Sequence, residues 1–325
     1  MTGPNGVGKT NLLEALHVGA QGFSPRTRAE PRLVRFGQSA ASVRLSGRDR
    51  QTVFETEVSM APPQAKRIRL NGAALEGGDQ LRLRLSALAF TPDRLAVVKG
   101  GPIVRRAYLD RMVGRLFPAR AKLPSDYARA VAQRNAALRR VRTGESSLQA
   151  LEPWTEQVAE LGSELDHSRA ELVALLAPGF AEHGHALGLA DAEIAYGEQG
   201  LTVEELAGRL DRDLDRGTTG AGPHLRDAGI SAAGRDLRAF GSQGEQRTAV
   251  LALVLAEAGL LSDQRGEPPL LLLDDVFSEL DRRRGEALVR RLPAGGQTVV
   301  TATERPEALA VDLVVEVSPG EARAA

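Results

Sequence analysis

The sequence predicts an α/β fold: a mixed sheet with flanking helices that carries a phosphate-binding loop and is interrupted by an inserted helical lobe. Three observations predict it. The chain opens on a glycine-rich loop, Gly3-Pro4-Asn5-Gly6-Val7-Gly8-Lys9-Thr10, that runs straight into a helical segment. The last third alternates short apolar strands with helices, the pattern of a parallel sheet. The middle third is rich in Ala, Leu, Arg and Glu with helical spacing. The expected division is residues 1–101 with 217–325 as lobe I and residues 102–216 as lobe II.

The elements follow in order. Asn11 to Val18 is the helix behind the loop, and residues 21–40, rich in Arg, Pro and Ser, form an exposed connection. Ser42–Leu45, Thr52–Ser59 and Arg67–Leu70 alternate apolar and polar side chains, as half-buried antiparallel strands do. Asn71-Gly72 signals a turn after the last of them. Ala87–Phe90 is a short buried strand stopped at Pro92. Beyond Gly100-Gly101-Pro102 the spacing predicts helices over 103–116, 126–142 and 151–176, none much longer than about 25 residues. A further helix over 202–214 has Thr202 as N-cap and Glu205 at the capping-box position. Gly217–Gly222 is a flexible return. A helix over 243–261 then precedes the strand Leu270–Leu273, a helix over 282–292 precedes the strand Thr298–Thr301, and Leu313–Val317 is a final strand.

Composition narrows the function classes. The chain has 325 residues, enough for two lobes with apolar interiors, and 42% hydrophobic with 26% charged residues is ordinary for a soluble protein. Forty-two basic residues cancel 42 acidic ones, so any nucleic-acid surface must be a local patch. The absence of cysteine excludes disulfides, thiol catalysis and Cys-ligated zinc, and fits a cytoplasmic protein. No apolar run approaches the roughly 18 residues of a membrane helix, so no membrane partner is expected. His167, His183 and His185 do not make a metal-binding pattern, which leaves Mg²⁺ brought by a nucleotide as the expected metal.

The opening loop matches G-x-x-x-x-G-K-[ST] in full. Its glycines let backbone N–H groups curl round a phosphate, and the helix N-terminus points at the same anion. Lys9 is placed to reach the β- and γ-phosphates of ATP, and the Thr10 hydroxyl to ligate Mg²⁺. Only four of the basic residues are lysines (Lys9, Lys66, Lys99 and Lys122), and one of them falls here. Leu270-Leu271-Leu272-Leu273-Asp274-Asp275 is the complementary strand. Four apolar residues bury it and deliver Asp274 at its carboxyl end, where ligands bind in such sheets. Asp274 then holds Mg²⁺ through water opposite Thr10, and Asp275 polarises the attacking water.

With both phosphate motifs in place, the chain resembles the ABC-type P-loop ATPase head. Ser242-Gln243-Gly244-Glu245-Gln246, about 30 residues before the acidic strand, resembles the signature motif. The resemblance implies that Ser242, Gly244 and the following helix N-terminus bind γ-phosphate; helix capping by Ser242 is compatible with that. Ser278-Glu279-Leu280-Asp281 resembles the D-loop of the dimer interface and also suits a helix cap. Thr298–Thr303 stands where transporters of this superfamily carry a switch histidine, so Thr301 or Thr303 is the candidate there. Asp275 replaces the usual Glu and is one methylene shorter, which implies slow hydrolysis.

The order of these motifs around a helical insertion is similar to the SMC/Rad50/RecF branch. Gly8–Ala15, Phe90–Asp93, Lys99–Pro102, Arg105–Asp110, Gln133–Asn135, Gly222–His224, Ser242–Gly244 and Asp274–Asp281 narrow it to the RecF family of DNA replication and repair proteins, over essentially the whole chain. The resemblance implies an ATP-binding lobe I, an ATP-dependent homodimer and weak ATPase activity. It also implies binding to single-stranded gaps and single-strand/double-strand junctions, with RecO and RecR as partners in loading RecA. Two features depart from the family. The strand and hairpin that normally lead into the phosphate loop are missing, because Met1-Thr2 stands directly before Gly3; a nucleotide-blind remnant is the alternative this raises. The family's Gly-Pro-His-Arg-Asp-Asp reads Gly222-Pro223-His224-Leu225-Arg226-Asp227, so Arg226 is the candidate to replace the lost arginine.

The segment 126–142 carries Arg129, Arg134, Arg139, Arg140 and Arg142 against Asp126 alone, which makes it either the DNA phosphate contact or a solvated basic face. Aromatic residues at 4% give no stacking platform, which favours backbone contacts, with Arg67 and Arg69 as further candidates. A transporter subunit would need a switch histidine and a surface for coupling helices, and an SMC-like tether would need far longer coiled-coil arms; an ABC ATPase subunit of another complex is the further alternative.

Overall fold

A computed structural model describes residues 1–27, 29–49, 52–306 and 309–325. Along the chain, helix α1 (Lys9–Gln21) is followed by strands β1 (Ala41–Asp49), β2 (Thr52–Met60), β3 (Arg67–Leu70) and β4 (Ala73–Leu75), helix α2 (Gly78–Arg84) and strand β5 (Ala87–Phe90). Helices α3 (Ala96–Lys99), α4 (Pro102–Leu116), α5 (Leu123–Arg142) and α6 (Glu152–Ala186) come next. Strand β6 (Glu193–Tyr196), helices α7 (Val203–Ala207) and α8 (Leu210–Arg216), strands β7 (Ala228–Ala232) and β8 (Arg235–Asp236) and helix α9 (Leu237–Phe240) complete the middle. The chain ends with α10 (Gln243–Arg265), β9 (Leu270–Asp274), α11 (Arg282–Arg291), β10 (Thr298–Thr301), β11 (Val315–Ser318) and β12 (Glu321–Ala324).

Contacts divide the chain into two compact units. The first comprises Met1–Leu95, Glu182–Leu189 and Gln243–Ala325, the second Ala96–Ala181 and Ala190–Ser242. Residues 217–242, placed with lobe I on sequence grounds, fall in the second unit, where β7 pairs antiparallel with β6.

In the first unit a parallel sheet of order β10-β9-β5 lies apart from an antiparallel sheet β1-β2-β3-β4, and α1 serves both. Leu13 of α1 packs with Ala89 of β5 and Leu272 of β9, while Val18, one turn on, joins Val58, Met60, Ile68 and Leu81. Helix α1 approaches β1 so closely that a Cβ at Gly19 would come within 2.8 Å of Leu45 Cβ. The Thr56 hydroxyl donates to the Gly19 carbonyl at 2.8 Å. Helix α10 is buried along the whole run Ala249–Ala258 and packs on β5, which explains why that run is apolar apart from Glu257. Asn71 and Gly72 both take positive φ, 50° and 80°, the geometry of a tight hairpin between β3 and β4.

In the second unit, α5, α6, α7 and neighbouring loops close over Leu123, Tyr127, Ala130, Val158, Leu165, Leu201 and Leu206. The helix expected to stop at residue 176 continues to Ala186 and has 35 residues, with Pro178 inside it. Packing of Leu172, Leu176 and Phe180, all fully buried, carries the helix past the missing N–H. The segment 202–214 is two short helices separated at Gly208–Arg209, and the Thr202 hydroxyl caps the first by accepting the Glu205 N–H at 3.1 Å.

Candidate functional site

The site forms in the first unit at the carboxyl ends of the parallel strands, against the first turn of α1. The loop before α1 needs its glycines. Gly3, Gly6 and Gly8 have φ of 150°, 84° and 107°, and a Cβ at Gly3 would lie 2.4 Å from the Val317 carbonyl oxygen. The loop is anchored through its neighbours: Thr2 N–H donates to Val315 O at 2.8 Å, and Val317 N–H donates to Thr2 O at 2.8 Å. Ala302 N–H donates to Met1 O at 3.0 Å. Residues 1 and 2 thus pair beside β10 and β11 immediately before the loop. Pro4, Asn5 and Gly6 form the exposed crest, and Val7 and Gly8 lead down to the helix.

Lys9 begins α1 and is 8% exposed. Its ammonium lies across the loop and donates to Gly3 O at 2.6 Å and Pro4 O at 2.9 Å. These carbonyls occupy donors that phosphate oxygens can take over. Thr10 follows, and its hydroxyl donates to Asp274 Oδ1 at 3.1 Å.

Asp274 ends β9 and is 3% exposed. The same Oδ1 accepts the Thr301 hydroxyl at 2.6 Å, because β10 pairs in parallel register with β9 and sets Thr301 beside Asp274. The Thr301 oxygen in turn accepts the Asp275 N–H at 2.9 Å. Asp275 takes the left-handed conformation, φ 49° and ψ 35°, which few non-glycine residues adopt, and its carbonyl accepts the Ser278 hydroxyl at 3.0 Å. Thr301, of the two switch candidates, is therefore fully committed to the acidic pair; the Thr303 side chain is exposed and its carbonyl receives the Gly3 N–H at 3.4 Å. Asp274 stands opposite Thr10 as the motifs imply, whereas the bond of Thr301 to the same carboxylate oxygen follows from the register of β10 on β9.

Chemically, a curled loop of N–H groups, a helix N-terminus and an ammonium form a cradle for a polyphosphate. The Thr10 hydroxyl and Asp274 carboxylate, 3.1 Å apart, form the oxygen donor set of a hard divalent cation, so Mg²⁺ fits the residues present.

The remaining candidates are distributed as follows. Ser242 and Gly244 are exposed where α10 begins, and the Thr248 hydroxyl donates to Gly244 O at 2.9 Å. Asp281 caps α11 by accepting the Arg284 N–H at 2.8 Å. On α5, Arg129, Arg139 and Arg140 are exposed. Arg134 is not: it is 1% exposed, and its guanidinium donates to Asp213 at 2.8 Å and Thr219 at 3.0 Å. Arg134 is thus removed from the candidate DNA surface, since a buried paired charge cannot meet a phosphate. Arg67 and Arg69 are exposed on β3. Leu225 is 58% exposed, whereas Arg226 turns inward to Asp166 and the Gly200 carbonyl. Asp166 also accepts the Tyr196 hydroxyl at 2.7 Å, and burial, together with that bond, pushes the phenol up to about 12.

No family model matches the chain. The DNA replication and repair protein RecF of Symbiobacterium thermophilum is 37% identical over 337 residues, covering 99% of this chain and 88% of the relative. The RecF of Halothermothrix orenii is 35% identical over 323 residues, covering 93% and 85%. A solved structure described as the recombination mediator protein RecF–ATP in the RecFOR pathway superposes with a TM-score of 0.87 at 28% identity, over 100% of this chain and 90% of that one. An Smc head domain from Pyrococcus furiosus, at 15% identity and a TM-score of 0.53, shares the fold. On that similarity over nearly its whole length, and with the ABC-type ATPase head common to these structures, the chain belongs to the RecF family of DNA replication and repair proteins.

Proposed function

We propose that this chain is an ATP-switched DNA clamp that acts as a recombination mediator. The observation that carries the reading is the convergence of Lys9, Thr10 and Thr301 on the phosphate loop and Asp274. Gly3 and Pro4 open the loop, and Asn5, Gly6, Val7 and Gly8 wrap the β-phosphate with backbone N–H groups. The Lys9 ammonium exchanges its two carbonyls for β- and γ-phosphate oxygens. Thr10 offers a hydroxyl oxygen to the cation, and Asp274 holds the cation's water. Bound Mg²⁺ supplies charge neutralisation between the phosphates. Asp275 accepts a hydrogen bond from the attacking water; its short side chain makes turnover slow.

A second copy of the chain completes the site through Ser242 and Gly244, so ATP joins two protomers and hydrolysis times their release. The dimer holds gapped or junction DNA by its phosphates, with Arg129, Arg139 and Arg140 as contacts on α5. A solved relative is described as a recombination mediator in the RecFOR pathway, which supports RecO and RecR as partners; the outcome in this reading is RecA loading. Retention on a gapped duplex tests the reading. Binding is expected to require ATP·Mg²⁺ and to weaken steeply with salt; equal retention with ATP, with ADP and without nucleotide contradicts the switch.

A further inference from the structure

Thr91 follows directly on β5, is fully buried, and its hydroxyl oxygen has no hydrogen-bond partner among the described residues. Its position is fixed by the sheet. Parallel pairing sets Phe90 beside Leu273, so the next residues, Thr91 and Asp274, come side by side, as Thr301 does on the other flank. Residues in register share a face. Ala89 and Leu272 turn to Leu13 of α1, and two residues on Asp274 turns to Thr10 of the same helix, so Thr91 stands on that face too. The row across the strand ends is Thr301, Asp274, Thr91.

Two hydroxyls of this neighbourhood, Thr10 and Thr301, donate to one oxygen, Asp274 Oδ1. Thr91 brings a third with no bond to make. A buried hydroxyl without a partner destabilises the fold, and valine would fill the same space without that penalty. Ser86, whose hydroxyl is likewise unpartnered, lies at the opposite end of β5, away from the site.

We propose that the Thr91 hydroxyl is a positioning group of the cation site, bonding a water of the hydrated Mg²⁺ that arrives with ATP and holding it from the β5 side of Asp274. This rests on the reading of Lys9, Thr10 and Asp274 as the ATP·Mg²⁺ site. The test is the ATP dissociation constant of the full chain with Mg²⁺ and with EDTA, together with the melting temperature of the nucleotide-free protein, for wild type, Thr91→Val, Thr91→Ala and Thr91→Ser. Wild type and Thr91→Ser are expected to bind more tightly with Mg²⁺. Thr91→Val and Thr91→Ala are expected to lose roughly tenfold of the Mg²⁺-dependent affinity while keeping the affinity in EDTA. Nucleotide-free Thr91→Val should melt a few degrees higher, by about 2–4 °C. Unchanged Mg²⁺-dependent affinity in the hydroxyl-free variants overturns the proposal, and so does a lower melting temperature of Thr91→Val, which would mean a structural partner. A wild-type chain that binds no ATP with Mg²⁺ overturns the site reading itself, and the Thr91 proposal with it.

Discussion

Thr301 has the least replaceable hydroxyl in the site. It donates to Asp274 Oδ1 and accepts the Asp275 N–H, so its loss strips a donor from a buried carboxylate and leaves a backbone N–H unpaired. Thr301→Val, nearly isosteric, is expected to lower stability by about 1–3 kcal/mol in chemical denaturation and to reduce ATP turnover; unchanged stability would show that water replaces both bonds. Asp275 offers the opposite experiment. Its left-handed backbone suits Asp better than Glu, whereas the chemistry favours the longer side chain. Asp275→Glu is therefore expected to raise turnover several-fold at a stability cost of roughly 1 kcal/mol. A fall in turnover would mean that the short carboxylate, not its reach, is what the site needs.

At the scale of elements, α5 separates two kinds of arginine. Tyr127, Ala130, Arg134, Ala137 and Leu138 are buried at helical spacing on one stripe, and Arg129, Arg139 and Arg140 lie off it. Counting charges along the segment hid this; the apolar stripe that runs through Arg134 was the signal. Arg134→Ala is expected to cost about 3–5 kcal/mol by leaving Asp213 buried and unpaired. Replacing Arg129, Arg139 or Arg140 by Ala is expected to leave stability unchanged and to reduce the salt slope of DNA binding by about 1 each. Unchanged DNA affinity in all three variants would move the contact elsewhere. The strands legible in sequence were those with neighbouring partners, such as β1 to β3, or with continuous apolar runs, such as β9. Strand β7 (AGISA) was not, because its partner β6 lies more than 30 residues away and its small residues carry little strand preference. The end of α6 was illegible for another reason: Pro178 argues locally for a stop that tertiary packing overrides. At the site, the loop and Asp274 were legible as motifs, whereas the Thr301 lock depends on a register that no local pattern encodes.

At the scale of the whole molecule, acid should weaken the fold. Burial holds the imidazoles of His183 and His224 below their ordinary value of 6.5, so below that pH the unfolded chain takes up protons that the folded chain refuses. In the neutral ring of His224, Nε2–H donates to the Thr219 carbonyl at 3.1 Å and Nδ1 accepts the Tyr127 hydroxyl at 2.6 Å, a pattern that a second ring proton breaks. Arg291 lowers the Glu182 carboxyl, and the backbone N–H of Glu204 lowers its own side chain, so these contributions are lost as pH falls through the depressed folded values. The melting temperature is expected to drop between about pH 7 and about pH 5, with a shallower drop in His224→Gln; a flat profile would mean that both rings protonate in place.

The reading as a switched clamp requires two protomers, since Ser242 and Gly244 are assigned to the partner's phosphate site. The measurement that tests this most directly is light scattering of the chain with and without ATP·Mg²⁺, repeated on Lys9→Ala. A monomer that becomes a dimer only with ATP and only with Lys9 intact is the predicted result. A mass that does not respond to ATP, or a Lys9→Ala variant that dimerises as wild type does, would contradict it.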